Sequence, residues 1–144
     1  MMFLKLKEIR LAEKPPREML LNFLAEFELL LDEDVEESIG LYSGDELAAV
    51  CCRSGKVLKG FAVRESYRDH NLTSALVSEM IRRLFAKGIY KSFVFTKRKY
   101  QEKFGSLGYR LISQGGSVVL LETGLGGVDE YVIKLKGQRS EGTV

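Results

Sequence analysis

VLKGFAVRESYRDHNLTSALVSEMIRRLF, residues 57–85, changes its hydrophobic period once, and the rest of the chain is organised around that change. Val57 to Val63 is a short apolar run whose length and side chains suit a buried strand. Arg64 to Asn71 is polar and reads as a turn. From Thr73 onward, Leu76, Val77, Met80, Ile81, Leu84 and Phe85 fall at i, i+1, i+4, i+5, i+8 and i+9, one face of a helix. Strand, tight turn and helix start bring free backbone N–H groups and the positive end of a helix dipole to one point. Such a point suits an anion, best a phosphate or pyrophosphate.

Working outward from this unit, Phe3 to Lys7 alternates apolar and basic residues and reads as a first, edge strand. Pro15-Pro16 ends it, the second proline standing near a helix start. Met19, Leu20, Phe23, Leu24, Phe27, Leu30 and Leu31 mark an amphipathic helix. The acidic run Asp32 to Glu37 reads as a solvated connector rather than a catalytic cluster. Ser38–Tyr42 and Glu46–Cys52 are strands joined at Ser43-Gly44-Asp45, and Arg53-Ser54-Gly55-Lys56 leads into Val57; both connectors have hairpin length and a glycine.

Beyond the central unit, Gly88 reads as the C′ residue of the helix Thr73–Lys87. Tyr90–Thr96 is a strand whose consecutive Phe93, Val94 and Phe95 suggest burial on both faces. Lys99–Leu107 is a shorter helix closed by Gly108, and Tyr109–Ile112 and Ser117–Glu122 are the last strands. Gly124–Gly127 leads into a short helix, Val128–Leu135, before a polar tail expected to fray. This order predicts an α/β (α+β) fold, a mixed sheet with one dominant βα crossover.

A chain of 144 residues reads as one domain, with a core over about residues 17–136 and a tail over 137–144. A hydrophobic share of 45% beside 29% charged residues excludes a disordered or membrane-embedded composition. The N-terminal residues lack the pattern of a signal peptide, so a cytoplasmic protein is expected. The net charge of +2 carries no basic, aromatic-interleaved stripe, and neither nucleic acid nor membrane is expected as a partner. Cys51 and Cys52 are neighbours in a strand and so point to opposite faces. With no Cys/His cluster, no metal is expected.

The strand–turn–helix resembles the acyl-CoA-binding motif of the GNAT-fold N-acetyltransferases, a strand ending in Val followed by Q/R-x-x-G-x-G/A and a helix. Val63 matches the strand end, and Arg68-Asp69-His70-Asn71-Leu72-Thr73 matches the turn. Phe104-Gly105-Ser106-Leu107-Gly108-Tyr109 resembles the second family motif, Y-E-K-L-G-F, and the resemblance spans about residues 17–122. Within that superfamily, residues 31–36, 40–47, 93–97 and 119–122 resemble the N-terminal GNAT-like domain of citrate lyase ligase. In that family an adenylylating nucleotidyltransferase domain follows, making acetyl-adenylate from ATP and acetate for a carrier-protein thiol. The HxGH motif of that reaction has no counterpart here, His70 being the one histidine.

The resemblance implies a GNAT fold with helices on both faces of the sheet, and acetyl-CoA or CoA as cosubstrate. Ala62 and Val63 would then form the edge for the pantetheine arm. Arg68, Asp69, His70, Asn71, Leu72, Thr73 and Ser74 would hold the pyrophosphate. Two departures stand out. Asn71 and Thr73 replace the family's glycines: Asn tolerates the left-handed conformation, whereas Thr73 adds a Cβ where backbone should approach phosphate. Phe104 replaces the tyrosine that commonly protonates the leaving thiolate, leaving Tyr100, one helical turn earlier, as the candidate acid. Glu46, Glu65 and Glu122 are general-base candidates by residue type alone. Three readings stay open: an N-acetyltransferase acting on a small-molecule amine, a non-catalytic domain holding CoA or an acyl-carrier-protein arm, and a docking module, as monomer or homodimer.

Overall fold

The structure is a computed structural model that describes residues 3–123, apart from the side chains of Asp69 and His70. The chain divides into two compact units between Arg83 and Leu84.

The first unit holds β1 (Lys5–Glu8), α1 (Lys14–Ala25), β2 (Glu37–Ser43), β3 (Glu46–Ser54), β4 (Val57–Val63), a 3₁₀ turn (Glu65–His70) and the first three turns of α2 (Leu72–Ala86). Its strands run β1-β2-β3-β4, each antiparallel to the next. Both expected hairpins form, with Ser43 opposite Glu46 and Ser54 opposite Val57. The α1 face of this sheet carries Tyr42, Leu47, Val50, Cys52 and Ala62, packed with Ile9, Leu20, Phe23 and Leu24. Fully burying each such large side chain contributes roughly 1.5–3 kcal/mol. On the opposite face Arg83 of α2 reaches Glu37, which stands beside Arg53. Cys51 and Cys52 therefore do point to opposite sides, Cys52 into the α1 cluster and Cys51 away from it.

Three expectations require correction in this unit or the next. The α1 helix stops at Ala25 instead of running to Leu31, and Leu30 is 86% exposed. Glu28 sits in the left-handed region (φ 60°) while its N–H donates to the Ala25 carbonyl, and Leu29 N–H donates to Leu24. That is a Schellman closure with Glu at C′, tucking Leu29 back onto the core. Nor is the acidic run a plain solvated connector. Asp32 and Asp34 pair with Lys59 at 2.9 and 3.0 Å, Glu36 accepts the Gly55 N–H, and Glu37 accepts from Arg53 and Arg83.

The third correction concerns β5 (Phe93–Lys97), in the second unit. Its burial alternates: Val94 and Thr96 are covered, whereas Phe95 is 44% exposed, so only one face is fully buried. β5 pairs with β7 (Val118–Thr123), and β7 with β6 (Tyr109–Gly115), both antiparallel. The expected helix Lys99–Leu107 is a 3₁₀ turn (Arg98–Tyr100) running into α3 (Gln101–Gly105). Its Phe104 is buried edge-on against Tyr109, whose hydroxyl lies 2.7 Å from Ser92 Oγ. As expected, Gly88 is C′ of α2 (φ 80°): its N–H donates to Phe85 and that of Ile89 to Leu84. The helix expected over Val128–Leu135 and the tail after it lie outside the described residues.

Candidate functional site: the β4–α2 turn

β4 does not run straight into the turn. Opposite it, Val50 pairs with Ala62 and Cys52 with Lys59, so β4 carries one extra residue at Gly60-Phe61. Gly60 has φ +67°, and a Cβ there would lie 3.1 Å from Cys52 Sγ. This is a bulge built on a glycine in the left-handed region, and it re-aims Ala62 and Val63. The lone glycine within an apolar run was its available signal.

After Val63 the chain is held firmly. Arg64 N–H donates to the Ala48 carbonyl at 2.8 Å, and Tyr67 N–H to the Arg64 carbonyl at 2.8 Å. The Arg64 side chain donates to the Leu47 carbonyl and to Glu26, and lies 4.9 Å from the Phe23 ring centre. Residue type alone did not single out Arg64, because its partners stand 17 and 38 positions away.

The turn then closes through Asn71, in the left-handed region at φ 55°, ψ 36°. Asn71 thus takes the conformation that its residue type allows at a position where the family uses glycine. Its carbonyl accepts from Ala75 N–H, an early bond of α2. The first-turn N–H groups of any helix have no partner inside it, here those of Leu72, Thr73 and Ser74. Thr73 is buried, Ser74 half-buried and Asn71 exposed. Arg68 Nε donates to the Val63 carbonyl at 3.3 Å, so the turn residue and the strand-end residue meet. Asp69 and His70 contribute backbone to the 3₁₀ turn; their side chains lie outside the description.

The acid–base candidates are scattered. Glu46 is an exposed residue opening β3, and Glu65 is exposed at the start of the 3₁₀ turn. Glu122 is paired with Lys91 at 2.9 Å and Arg110 at 3.6 Å. The Lys91 hydrogen bond holds its carboxyl below the usual range, which weakens it as a base. Tyr100 is half-buried with Lys99 Nζ 5.2 Å from its ring centre. Both thiols are buried, and burial raises Cys51 well above, and Cys52 to about 11 from, the usual thiol range. Neither is a nucleophile at neutral pH. Among the described residues no group of three or more His, Cys, Asp or Glu side chains is placed to hold a metal. No helix among them is long and apolar enough to cross a membrane.

No family model matches the sequence. Among characterised proteins it is similar to [citrate [pro-3S]-lyase] ligase of Escherichia coli, 30% identical over 122 residues, covering 84% of this chain and 35% of that protein. The Klebsiella pneumoniae ligase is 30% identical over 143 residues, covering 98% of this chain and 42% of its own length. The chain thus spans well under half of these relatives. Among solved structures, Escherichia coli ElaA superposes with a TM-score of 0.69 at 14% identity, covering 85% of this chain and 100% of ElaA. An acyl-CoA N-acyltransferase from Pseudomonas aeruginosa gives 0.67 at 11% identity, over 86% of this chain and 100% of its own. The PaiA N-acetyltransferase of Thermoplasma acidophilum, solved in complex with coenzyme A, gives 0.63 at 12% identity, over 85% and 99%. The chain therefore has the GNAT acyl-CoA N-acyltransferase fold, and its sequence matches the GNAT-like domain of the [citrate [pro-3S]-lyase] ligases.

Proposed function

We propose that this chain binds acetyl-CoA through the β4–α2 turn and transfers the acetyl group directly to an amine. The observation carrying the binding half is Asn71, whose left-handed backbone closes the turn onto the start of α2 without the family's glycine. Backbone N–H groups of residues 72–74 would face the pyrophosphate, aided by the helix dipole and by Arg68. Arg68 would add charge-assisted hydrogen bonds from the guanidinium that now holds the Val63 carbonyl. Ala62 and Val63 would direct the pantetheine arm, their course set by the Gly60 bulge. A neutral amine then attacks the thioester carbonyl, the C–S bond breaks, and the thiolate leaves with a proton to be supplied. Tyr100 is the candidate donor.

A second reading is favoured by Phe104. That side chain occupies the family's acid position, has no proton to give, and is packed on Tyr109. On this reading the domain holds CoA, or the CoA-like arm of an acyl carrier protein, without transferring anything.

One titration separates binding from its absence, and one assay separates the two readings. Thermal melts are taken against acetyl-CoA, CoA and dephospho-CoA. A ligand at one hundred times its dissociation constant stabilises by about 2.7 kcal/mol, roughly 5 °C for a domain of this size. The expected result is a shift with the CoA compounds and acetyl transfer to members of an amine panel. A shift without transfer supports the binding domain, especially when holo but not apo carrier protein binds. No shift with any CoA compound overturns both.

A further inference from the structure

The β5-β7-β6 sheet has two unequal faces. One carries Val94, Val119, Leu121 and Tyr109, all buried, with Phe104 of α3 packed against Tyr109. The other is set by the pairs Phe95–Leu120 and Lys97–Val118, with Phe93 opposite Glu122 and Ile112 extra at the β6 bulge. There Phe95 and Ile112 are each 44% exposed, while Phe93, Val118 and Leu120 are half-buried. Contiguous apolar side chains left open on one sheet face call for a cover.

We propose that the cover is this chain's own segment 128–135, VDEYVIKL, seated on that face through Val128, Tyr131, Val132 and Leu135. Those four recur at i, i+3, i+4 and i+7, one apolar stripe, with Asp129, Glu130 and Lys134 off the stripe. Eight residues are too few to hold a helix alone in water, so the stripe needs a surface. Reach is sufficient. The chain leaves β7 at Thr123, one residue past Glu122 on the open face, and Gly124 to Gly127 span up to roughly 14 Å when extended. Three strands are only about 10 Å across. The glycines also permit the reversal. Arg110 and Lys91, at the exit end of the face, offer positive charge toward Asp129 and Glu130. The comparisons agree: the Klebsiella ligase matches over 143 residues and so takes in this segment, whereas the acetyltransferases, themselves covered 99–100%, account for 85–86% of the chain.

The test is a double-mutant cycle on the full chain, with Phe95→Ser, Tyr131→Ser and both together, and Lys134→Ser as control. Seating predicts that Tyr131→Ser lowers the melting temperature by about 3 °C or more, while Lys134→Ser leaves it unchanged. The double variant should fall short of the summed single effects, because contacting residues couple. Full additivity, or a Tyr131→Ser melt equal to the parent's, overturns the proposal. Sedimentation showing a parent dimer that Phe95→Ser dissociates would assign the face to a second copy and overturn it too. If Phe95→Ser fails to fold, amide exchange of Tyr131→Ser decides: faster exchange across residues 93–97 and 118–123 supports the seating, and unchanged exchange refutes it.

Discussion

At the residue scale the most constrained position near the turn is Gly60. Any side chain there meets two penalties, a φ of +67° and a Cβ 3.1–3.3 Å from the Cys52 side chain. Gly60→Ala should therefore cost about 1–3 kcal/mol, the range for a non-glycine residue in the left-handed region, with a crowding cost added. Because the bulge aims Ala62 and Val63, any folded fraction should also lose the melt shift given by acetyl-CoA. A variant with the parent's stability and ligand shift would show that the bulge does not set the strand's course. The neighbouring thiols make a separate prediction. Both are buried, and raised pKa values keep them protonated, so Ellman's reagent should label neither Cys51 nor Cys52 until the chain unfolds in denaturant. Rapid labelling of the native protein would contradict the buried placement.

At the element scale, α2 is tied to the first unit's sheet by charge. Arg82 donates twice to Glu79, Arg83 donates to Glu79 and to Glu37, and Glu37 also accepts from Arg53. Hydrogen bonds from Arg82 first, and from Arg83, lower the Glu79 carboxyl from 4.5 to about 2 despite its partial burial. A carboxyl depressed in the folded state binds its proton more readily in the unfolded chain. Its contribution is thus complete above pH 4.5 and lost as the pH falls toward about 2. Melting temperature should fall across that window, and Arg82→Met should make the fall shallower; parallel curves would remove Glu79 as the cause. None of this network was legible in the sequence, because Glu37 and Arg83 are 46 positions apart. Signals that were legible are local. Two-residue hairpins announce themselves by a glycine, Gly88 ends α2 as its residue type requires, and Asn71 signals a left-handed backbone. The end of α1 was not legible. Apolar residues continue past Ala25 in helical register, and the stop depends on Glu28 taking a conformation its type disfavours. The exposure of Phe95 was equally hidden, since an apolar run does not say which of its faces will be covered.

On the scale of the whole molecule, fold and chemistry separate. Solved neighbours of this fold include N-acetyltransferases, whereas the sequence relatives are ligases of which this chain spans 35–42%. The candidate site helps to separate two nucleotide chemistries. A turn that closes on a helix start offers backbone N–H groups to any pyrophosphate, and ATP carries one as well as CoA does. What ATP lacks is a pantetheine arm to lie along Ala62 and Val63. Binding that uses both parts should therefore rank acetyl-CoA and CoA well above ATP in melt shift, with Arg68→Ala weakening the CoA compounds. Adenylylation should also be absent from this chain: with His70 its one histidine, it has no HxGH motif to stabilise a leaving pyrophosphate. Incubation with ATP and acetate should release no pyrophosphate above the buffer rate. Release that scales with protein concentration, or an ATP shift equal to that of CoA, would place the chemistry with the ligases rather than with the acetyltransferases.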